Sequence, residues 1–230
     1  MAVILNIDTT HETGSVSVGK DGKLLHELTH TEMRDHAGWL QNAIGSVLEL
    51  AGVAFSDIDA IAVTGGPGSY TGIRVGLASA KGLAYALKKP MIQINTLKLM
   101  ANTVRLRYTD HIRGDNVLLC PMIDARREEV WMGIYGVSGE IILTEGPQIL
   151  TNIDFNKYLT KGSLLFFGSG ADKYNYLFNS VESEVLSGFV YTASDMIDIS
   201  ENYYKAEKFA DLFYSEPYYL KEFYTYSKNS

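Results

Sequence analysis

The sequence predicts an α/β fold of two lobes, each built on a mixed sheet flanked by helices. Three short strand patterns separated by turn-sized polar segments open the chain, which predicts a meander of hairpins. Strand and helix patterns then alternate, as is typical of right-handed crossovers between parallel strands. A similar order of elements begins again after residue 116, so a second lobe related to the first is expected, although no sequence repeat accompanies it.

In the first lobe the pattern changes from a period of two to a helical period at about residue 35. The helix predicted over residues 35–51 has apolar side chains at helical spacing, and Gly52 ends it. The predicted elements are strands at 3–8, 14–19 and 23–31, a helix at 35–51, a strand at 59–64, a helix at 73–87, a strand at 91–94 and a helix at 96–108.

In the second lobe the strand patterns are longer and the helical ones shorter. The predicted elements are strands at 117–123, 129–137, 140–149 and 163–168, and helical segments near 153–159, 172–178 and 194–213. We therefore assign residues 1–108 to the first lobe and 109–230 to the second, with the last helix placed to pack back on the first lobe.

Composition narrows the class of protein. The 230 residues are 46% hydrophobic, as expected of a globular chain, and no run of eighteen apolar residues is present. Residues 1–8 are too short for a signal peptide, so a cytoplasmic location without membrane contact is expected. The net charge of −7 argues against binding nucleic acid without a partner. The single cysteine, Cys120, lies in an apolar run and is expected to be buried.

The most informative motif is a glycine-rich loop between the strand at 59–64 and the helix at 73–87. A strand, a glycine loop and a helix N-terminus in this order suit phosphate contact. However, Gly72 is followed by Ile73 and not by the lysine of a Walker loop, and the spacing of Gly66, Gly68 and Gly72 differs from the dinucleotide fingerprint. The alternative is that these glycines only allow a tight loop and a close helix to pack.

Two helices are candidates for a partner interface. The helix at 35–51 carries a second apolar row beside its first, and the helix at 73–87 is rich in glycine and alanine, with Arg74 and Lys81 as its only charged residues. Burial within one chain explains both helices nearly as well. The interface residues that this hypothesis selects are Trp39, Leu40, Ala43, Ile44, Val47, Arg74, Val75, Ala78, Lys81 and Gly82.

Four segments carry a resemblance to a known family: residues 4–18, 65–87, 124–130 and 216–221. On these motifs the chain resembles the TsaB family, also called YeaZ, a non-catalytic relative of the TsaD/Kae1 enzymes. The resemblance covers most of the chain. It implies an actin-like, Hsp70-like (ASKHA) two-lobed fold with mixed central sheets flanked by helices. The Asp-Ala-Arg-Arg element at residues 124–127 resembles a signature of the family, and the charged run departs from the family pattern at Glu129. From its charges alone, the run from Asp124 to Glu129 predicts a solvated hairpin.

In the catalytic relatives, the helix after the strand at 91–94 begins with a His-x-x-x-His pair that holds a metal. Here Thr96 and Met100 stand at those places, and both are poor ligands for such a metal. We therefore expect no catalytic residue and no metal.

The resemblance implies at most weak nucleotide binding. Asp8 is kept at the end of the first strand, but the bulk of Thr10 would hinder a phosphate, and a strand-end aspartate more commonly caps a turn. No cofactor is expected, and ATP would act at partner subunits. The residues of the weak nucleotide-like loop are Asp8, Thr9, Thr10, Gly66, Gly68, Thr71 and Gly72.

The function implied is that of a scaffold in making threonylcarbamoyladenosine in tRNA. The partners implied are the catalytic subunit TsaD and the ATPase TsaE, with tRNA reached only through the complex and a homodimer when the chain is alone. Two alternatives from other classes stay open. One is a nucleotide-binding transferase or kinase that uses Asp8 and the glycine loop. The other is a glycoprotease-like peptidase, for which the sequence offers no His-Glu-x-x-His motif and no Gly-x-Ser-x-Gly elbow.

Overall fold

A computed structural model describes residues 2–30, 36–114, 116–178 and 183–218. These ranges do not include residues 219–221 of the motif at 216–221, which begin with Tyr219. They also do not include Tyr224 and Tyr226 near the C-terminus. The strands are β1 (Val3–Asp8), β2 (Gly14–Lys20), β3 (Lys23–His30), β4 (Ala60–Thr64), β5 (Met91–Ile94), β6 (Val117–Asp124), β7 (Glu129–Gly136), β8 (Ile141–Ile149), β9 (Ser163–Phe167) and β10 (Ser183–Leu186). The α-helices are α1 (His36–Ala51), α2 (Tyr70–Leu87), α3 (Thr96–Arg107), α4 (Asn156–Leu159), α5 (Ser169–Lys173) and α6 (Ile197–Lys205).

The ten strands form two five-stranded sheets with the same topology. The first has the order β3-β2-β1-β4-β5, and the second, taken from its other edge, has the order β8-β7-β6-β9-β10. In each sheet the first three strands form an antiparallel meander, and the last two run parallel to the central strand. The two mixed sheets predicted from the sequence are therefore confirmed, and their equal strand order gives the repeated pattern a structural basis.

The strand β1 lies at the centre of the first sheet and contributes to two apolar layers. Leu5 and Ile7 pack in a cluster with α1 and α2 on one face, while Ile4 packs with α3 and α6 on the other. A third cluster covers the outer face of the second sheet, and Cys120 is buried in it as expected.

Most predicted elements are present, but several of their bounds differ. The helical segments predicted near 153–159 and 172–178 are the shorter helices α4 (Asn156–Leu159) and α5 (Ser169–Lys173). Helix α2 starts three residues earlier than predicted because Ser69 caps it and accepts a hydrogen bond from Gly72 N–H. Strand β10 was not predicted. The helix predicted over 194–213 is wrong beyond Lys205, since Glu207 adopts a left-handed φ of 51° that ends α6. Residues 206–218, here called the C-terminal strap, are extended or turn-like and run back to the first sheet.

The structure corrects part of the predicted interface. The apolar residues of α1 that were expected to meet a partner are buried within the chain itself, with side chains at most 4% exposed, and pack against the first sheet in the cluster that holds Leu5. They are therefore core residues with no surface for a partner. The residues concerned are Leu40, Ala43, Ile44 and Val47.

This placement predicts the result of adding a charge to α1. Leu40→Asp should lower the free energy of unfolding by roughly 4 kcal/mol or more, or prevent folding, because a buried carboxylate without a partner is costly. Leu50→Asp is the matched control on the same helix. Since Leu50 is 59% exposed, its substitution should change the stability by less than about 0.5 kcal/mol. Urea unfolding measures both; equal stability of the two variants would contradict the burial of Leu40.

Candidate functional site

The glycine loop leaves the end of β4 and is held by backbone hydrogen bonds on both sides. Gly65 N–H donates to Ile94 O (2.8 Å), and Gly66 O accepts from Thr96 N–H (2.9 Å). Gly66 has a φ of 102° and Gly68 one of 156°, which side chains rarely adopt. The loop is thus a fixed turn that delivers the chain to the N-terminus of α2.

The turn between β1 and β2 packs directly onto this loop. Ser69 N–H donates to Thr10 O (2.6 Å), and Thr9 Oγ1 donates to Gly72 O (2.7 Å). A Cβ added at Gly68 would overlap Thr10 O, and one at Gly72 would overlap Thr9 O. Gly68 and Gly72 are therefore needed for the close approach of two backbone segments. The geometry therefore supports the alternative that these glycines allow a tight loop and a close helix to pack. The turn between β1 and β2 fills the space next to both glycines.

Asp8 ends β1 with its carboxylate fully buried and every interaction made within the chain. Its Oδ1 accepts from Thr10 N–H (3.2 Å), Thr10 Oγ1 (2.6 Å) and Thr64 Oγ1 (2.5 Å). Its Oδ2 lies 3.1 Å from His11 Nε2. The expected turn-capping role of Asp8 is confirmed by the bond from Thr10 N–H. Oδ1 is hydrogen-bonded within the chain, whereas Oδ2 has the His11 ring beside it but makes no hydrogen bond in the described part of the chain.

Asp8 and His11 each favour the charged form in spite of burial. Burial by itself disfavours the carboxylate, but the neighbouring His11 ring, followed by the hydroxyl hydrogen bonds from Thr10 and Thr64, outweighs it and lowers the pKa of Asp8. Burial likewise disfavours charge on His11, and the neighbouring Asp8 carboxylate outweighs it and raises the pKa of His11. The two groups therefore stabilise each other's charged forms as an ion pair.

Tyr191, which is distant in the sequence, also contacts the turn that holds Asp8 and His11. Its ring packs against the His11 ring at a centroid distance of 4.4 Å, and its hydroxyl lies 3.1 Å from Thr10 Oγ1. Because the Thr10 proton goes to Asp8, the Tyr191 hydroxyl must be the donor in this contact. Burial, and then the charge of Asp8, raise the pKa of Tyr191 well above its usual value. Tyr191 is thus a neutral donor that lies over the turn.

Sequence reasoning missed Thr64 and Tyr191 as partners of the turn. Thr64 ends β4, which is parallel to β1, so the shared sheet edge was a signal that could have placed it near Asp8. Tyr191 lies in an irregular segment that no periodicity marks. A neighbouring pair of bonds, Ala193 N–H to Ser15 Oγ (2.8 Å) and Ser17 Oγ to Ala193 O (2.9 Å), holds that segment on β2.

At the places where the catalytic relatives are expected to hold a metal, the structure has core packing. Thr96 and Met100 on α3 are both buried, and the Met100 methyl group lies against Gly168. Within residues 2–30, 36–114, 116–178 and 183–218, no three His, Cys, Asp or Glu side chains come together in a way that could hold a metal ion. The donor set at α3 therefore does not fit a metal.

The charged run forms an exposed hairpin turn between β6 and β7, which confirms the solvated hairpin expected there. Arg126, Arg127 and Glu128 have φ values of 66°, 53° and 63°, a left-handed run that is uncommon outside glycine. Asp124 caps the turn by accepting from Arg126 N–H (3.0 Å), and Lys173 Nζ lies 2.8 Å from Asp124 Oδ2.

The remaining residues of the predicted interface lie at the surface on and beside α2. Those that are exposed or half-buried are Trp39, Arg74, Val75, Ala78, Lys81 and Gly82, and Thr71 of the nucleotide-like loop is exposed at the start of the same helix. The Arg74 guanidinium lies over the Tyr70 ring at 4.0 Å, and Gln41 Nε2 of α1 donates to Ser79 Oγ of α2 (2.7 Å). The exposed surface of α2 therefore combines the small residues Ala78 and Gly82 with the charged side chain of Arg74 and the exposed rings of Tyr70 and Tyr85.

No helix in the described part of the chain is long and apolar enough to cross a membrane.

Comparisons with known proteins give a consistent result. A family model described as TsaD, tRNA N6-adenosine threonylcarbamoyltransferase, matches residues 23–222. The tRNA threonylcarbamoyladenosine biosynthesis protein TsaB of Bacillus subtilis (strain 168) is 28% identical over 195 residues, which is 83% of this chain and 80% of that protein. The protein of the same name from Escherichia coli (strain K12) is 36% identical over 134 residues, or 57% of this chain and 54% of that protein.

Solved structures agree with the fold. YeaZ from Pseudomonas aeruginosa is 25% identical with a TM-score of 0.78, and the match covers 96% of this chain and 100% of the other. An uncharacterized protein with similarity to peptidase YEAZ, from the same organism, is 24% identical with a TM-score of 0.83 and the same coverage, which shows the fold. With the two sheets of equal strand order, this confirms the two-lobed α/β class with mixed sheets flanked by helices.

The Asp8–His11 pair predicts a pH dependence of stability. The pKa of His11 is raised in the folded chain, so its contribution is fully present below the unfolded value of 6.5 and is lost as pH rises through the folded value. The pKa of Asp8 is lowered, so its contribution is lost only in acid, below the unfolded value of 3.8. Relative to His11→Gln, the native chain should be more stable by on the order of 1–3 kcal/mol near about pH 5.5, and much less so near about pH 9.

Thermal or urea unfolding of both proteins across this range measures the difference. Asp8→Asn should remove the same pH-dependent part, and the double variant should remove no more of it, because the two groups act as one pair. A stability difference that stays constant from acid to alkaline pH would contradict the ion pair.

Proposed function

Since the chain belongs to the TsaD family, and within it to the TsaB or YeaZ proteins, we propose that it is a non-catalytic subunit in threonylcarbamoyladenosine biosynthesis. Its role would be to bind and activate a TsaD-type catalytic subunit, with a TsaE-type ATPase as a further partner. The modified base would be the adenosine next to the anticodon, at position 37 of tRNAs that read codons beginning with A.

The observation that carries the non-catalytic part is the state of Asp8 and the glycine loop. All contacts of Asp8 are taken by Thr10, Thr64 and His11, and the loop is covered by the turn that contains Thr9 and Thr10. A phosphate transfer centre needs an open approach to the glycine loop and a carboxylate able to hold a cation. Here the turn covers the glycine loop, and the buried carboxylate is engaged by two hydroxyl groups and lies beside the His11 ring. In addition, Thr96 and Met100 are buried where catalytic relatives are expected to have histidines.

The exposed face of α2 supports the scaffold part of the proposal. Ala78 and Gly82 present almost no side chain, so the helix of a partner can approach closely, and Arg74 lies beside them on the exposed surface. The chain's net charge of −7 fits contact with tRNA through the complex only. A homodimer through the same face would be the arrangement of the chain alone.

A charge on α2 tests this proposal. Ala78→Asp should weaken association with the TsaD-type subunit of the same genome at least about tenfold, because it puts an unpaired carboxylate into a packed helix contact. Asn175→Asp, an exposed change of the same sign in the second lobe, should leave the affinity unchanged. Titration calorimetry with both purified proteins gives the affinities. Unchanged binding by Ala78→Asp would contradict the role of this face.

The second candidate function, a nucleotide-binding transferase, would require Asp8 to take part in nucleotide binding. We expect the isolated chain to bind Mg²⁺-ATP with a Kd no tighter than about 1 mM, and Asp8→Asn to leave that weak affinity as it is. Titration calorimetry measures it. Tight binding that is lost in Asp8→Asn would contradict the scaffold proposal and favour the transferase. No observation in the described part of the chain favours a peptidase. Burial raises the pKa of the Cys120 thiol, so this thiol is not available as a nucleophile.

A further inference from the structure

The C-terminal strap (residues 206–218) is attached along the open edge of the first sheet. Ala210 N–H donates to Met91 O (2.8 Å) in an antiparallel bridge with β5, and Tyr218 N–H donates to Gly65 O (2.9 Å). Between them, Gln93 Nε2 donates to Glu216 O (2.8 Å). The strap thus runs from β5 to the glycine loop on hydrogen bonds to its backbone, and its path is fixed at both ends.

In the middle of the strap, Asp211 builds a turn that presents two aromatic side chains. Its Oδ1 accepts from Phe213 N–H (2.8 Å) and from Tyr214 N–H (2.9 Å), and Ser215 N–H donates to Asp211 O (3.0 Å). Despite this ordered backbone, the Phe213 side chain is 74% exposed and that of Tyr214 is 85% exposed. The turn therefore fixes the backbone of two aromatic residues whose rings are left uncovered.

These rings lie beside the exposed face of α2. Phe213 meets Tyr85 of α2 edge to face at a centroid distance of 6.5 Å, and Lys81 Nζ donates to Phe213 O (3.4 Å). Tyr85 is itself 68% exposed. We call Tyr85, Phe213 and Tyr214 the aromatic patch. It continues the small-residue surface of Ala78 and Gly82 on the same helix.

We propose that the aromatic patch is part of the surface that binds the TsaD-type subunit, with Phe213 and Tyr214 as its anchors beside α2. This inference rests on the proposed function. Exposed aromatic side chains held by an ordered backbone are the usual anchors of protein interfaces, because they bury a large area at a low cost in conformational entropy. Without a partner to cover them, large aromatic rings grouped on a protein surface are unfavourable, because they expose apolar area to water.

The chemistry around the patch favours a protein over a nucleic acid. Residues 206–218 carry three acidic residues, Glu207, Asp211 and Glu216, and one basic residue, Lys208. A phosphate backbone would be repelled by this segment, although bases stack on aromatic rings. A TsaD-type chain fits because the family model that describes TsaD spans residues 23–222, so such a chain has counterparts of α1 and α2 that can pack against this face.

The experiment measures the affinity of Phe213→Ala, Tyr214→Ala and the double variant for the TsaD-type subunit of the same genome, by titration calorimetry. Each single variant should raise the Kd about fivefold and the double variant at least about tenfold. Tyr176→Ala is the matched control, since Tyr176 is 62% exposed in the second lobe, and it should leave the Kd unchanged. Circular dichroism and thermal unfolding should show that all of these variants fold like the native chain.

The outcomes separate this inference from the function on which it rests. If Ala78→Asp abolishes binding while the double variant binds like the native chain, the patch proposal is overturned and the α2 interface stands. If the double variant assembles normally but the complex retains less tRNA, the patch contacts RNA and the proposal is overturned as well. Loss of self-association alone, with the Kd for the TsaD-type subunit unchanged, would also overturn it. If the native chain does not bind the TsaD-type subunit, the proposed function fails, and the patch proposal with it.

Discussion

The burial of the Asp8 carboxylate is the constraint on which the centre of this molecule depends. A charged group buried at the end of the central strand is tolerated only when hydrogen bonds or an opposite charge compensate for the lost water. The partners come from two parts of the chain: His11 and Thr10 from the turn after β1, and Thr64 from the end of β4. The contacts of Asp8 therefore fix the turn after β1 against the sheet edge, and this turn packs on the glycine loop.

From this constraint follows the structure of the loop and of the helix that it starts. With Thr9 and Thr10 pressed onto the loop, only glycine fits at positions 68 and 72. The hydrogen bond from Thr9 Oγ1 to Gly72 O then holds the first turn of α2. The direction of α2, and hence the position of its exposed small-residue face, is set by these contacts with the turn after β1.

The equal topology of the two sheets shows how one plan can be used in two ways. Asp8 ends β1 and Asp124 ends β6, the central strand of the second sheet, so the two carboxylates occupy equivalent positions. Asp8 is buried and enclosed by its neighbours, whereas Asp124 lies at a partly exposed turn and pairs with Lys173. The strand order fixes where a carboxylate sits, but the packing around it decides whether the position is closed or open.

The sequence by itself determined the order of nearly all strands and helices, the mixed sheets and the family. These features are encoded locally, in periodicity and in glycines at turns. It also determined that Thr96 and Met100 are poor metal ligands, because ligand chemistry depends on residue type alone.

Only the tertiary structure decided which apolar face of α1 is core. Leu40, Ile44 and Val47 are buried against the sheet, and periodicity cannot tell burial against a sheet from burial against a partner. It alone decided that Tyr191 covers Thr10, and that the chain after Lys205 becomes a strap on β5. Those contacts join residues more than a hundred positions apart, and no local pattern records them.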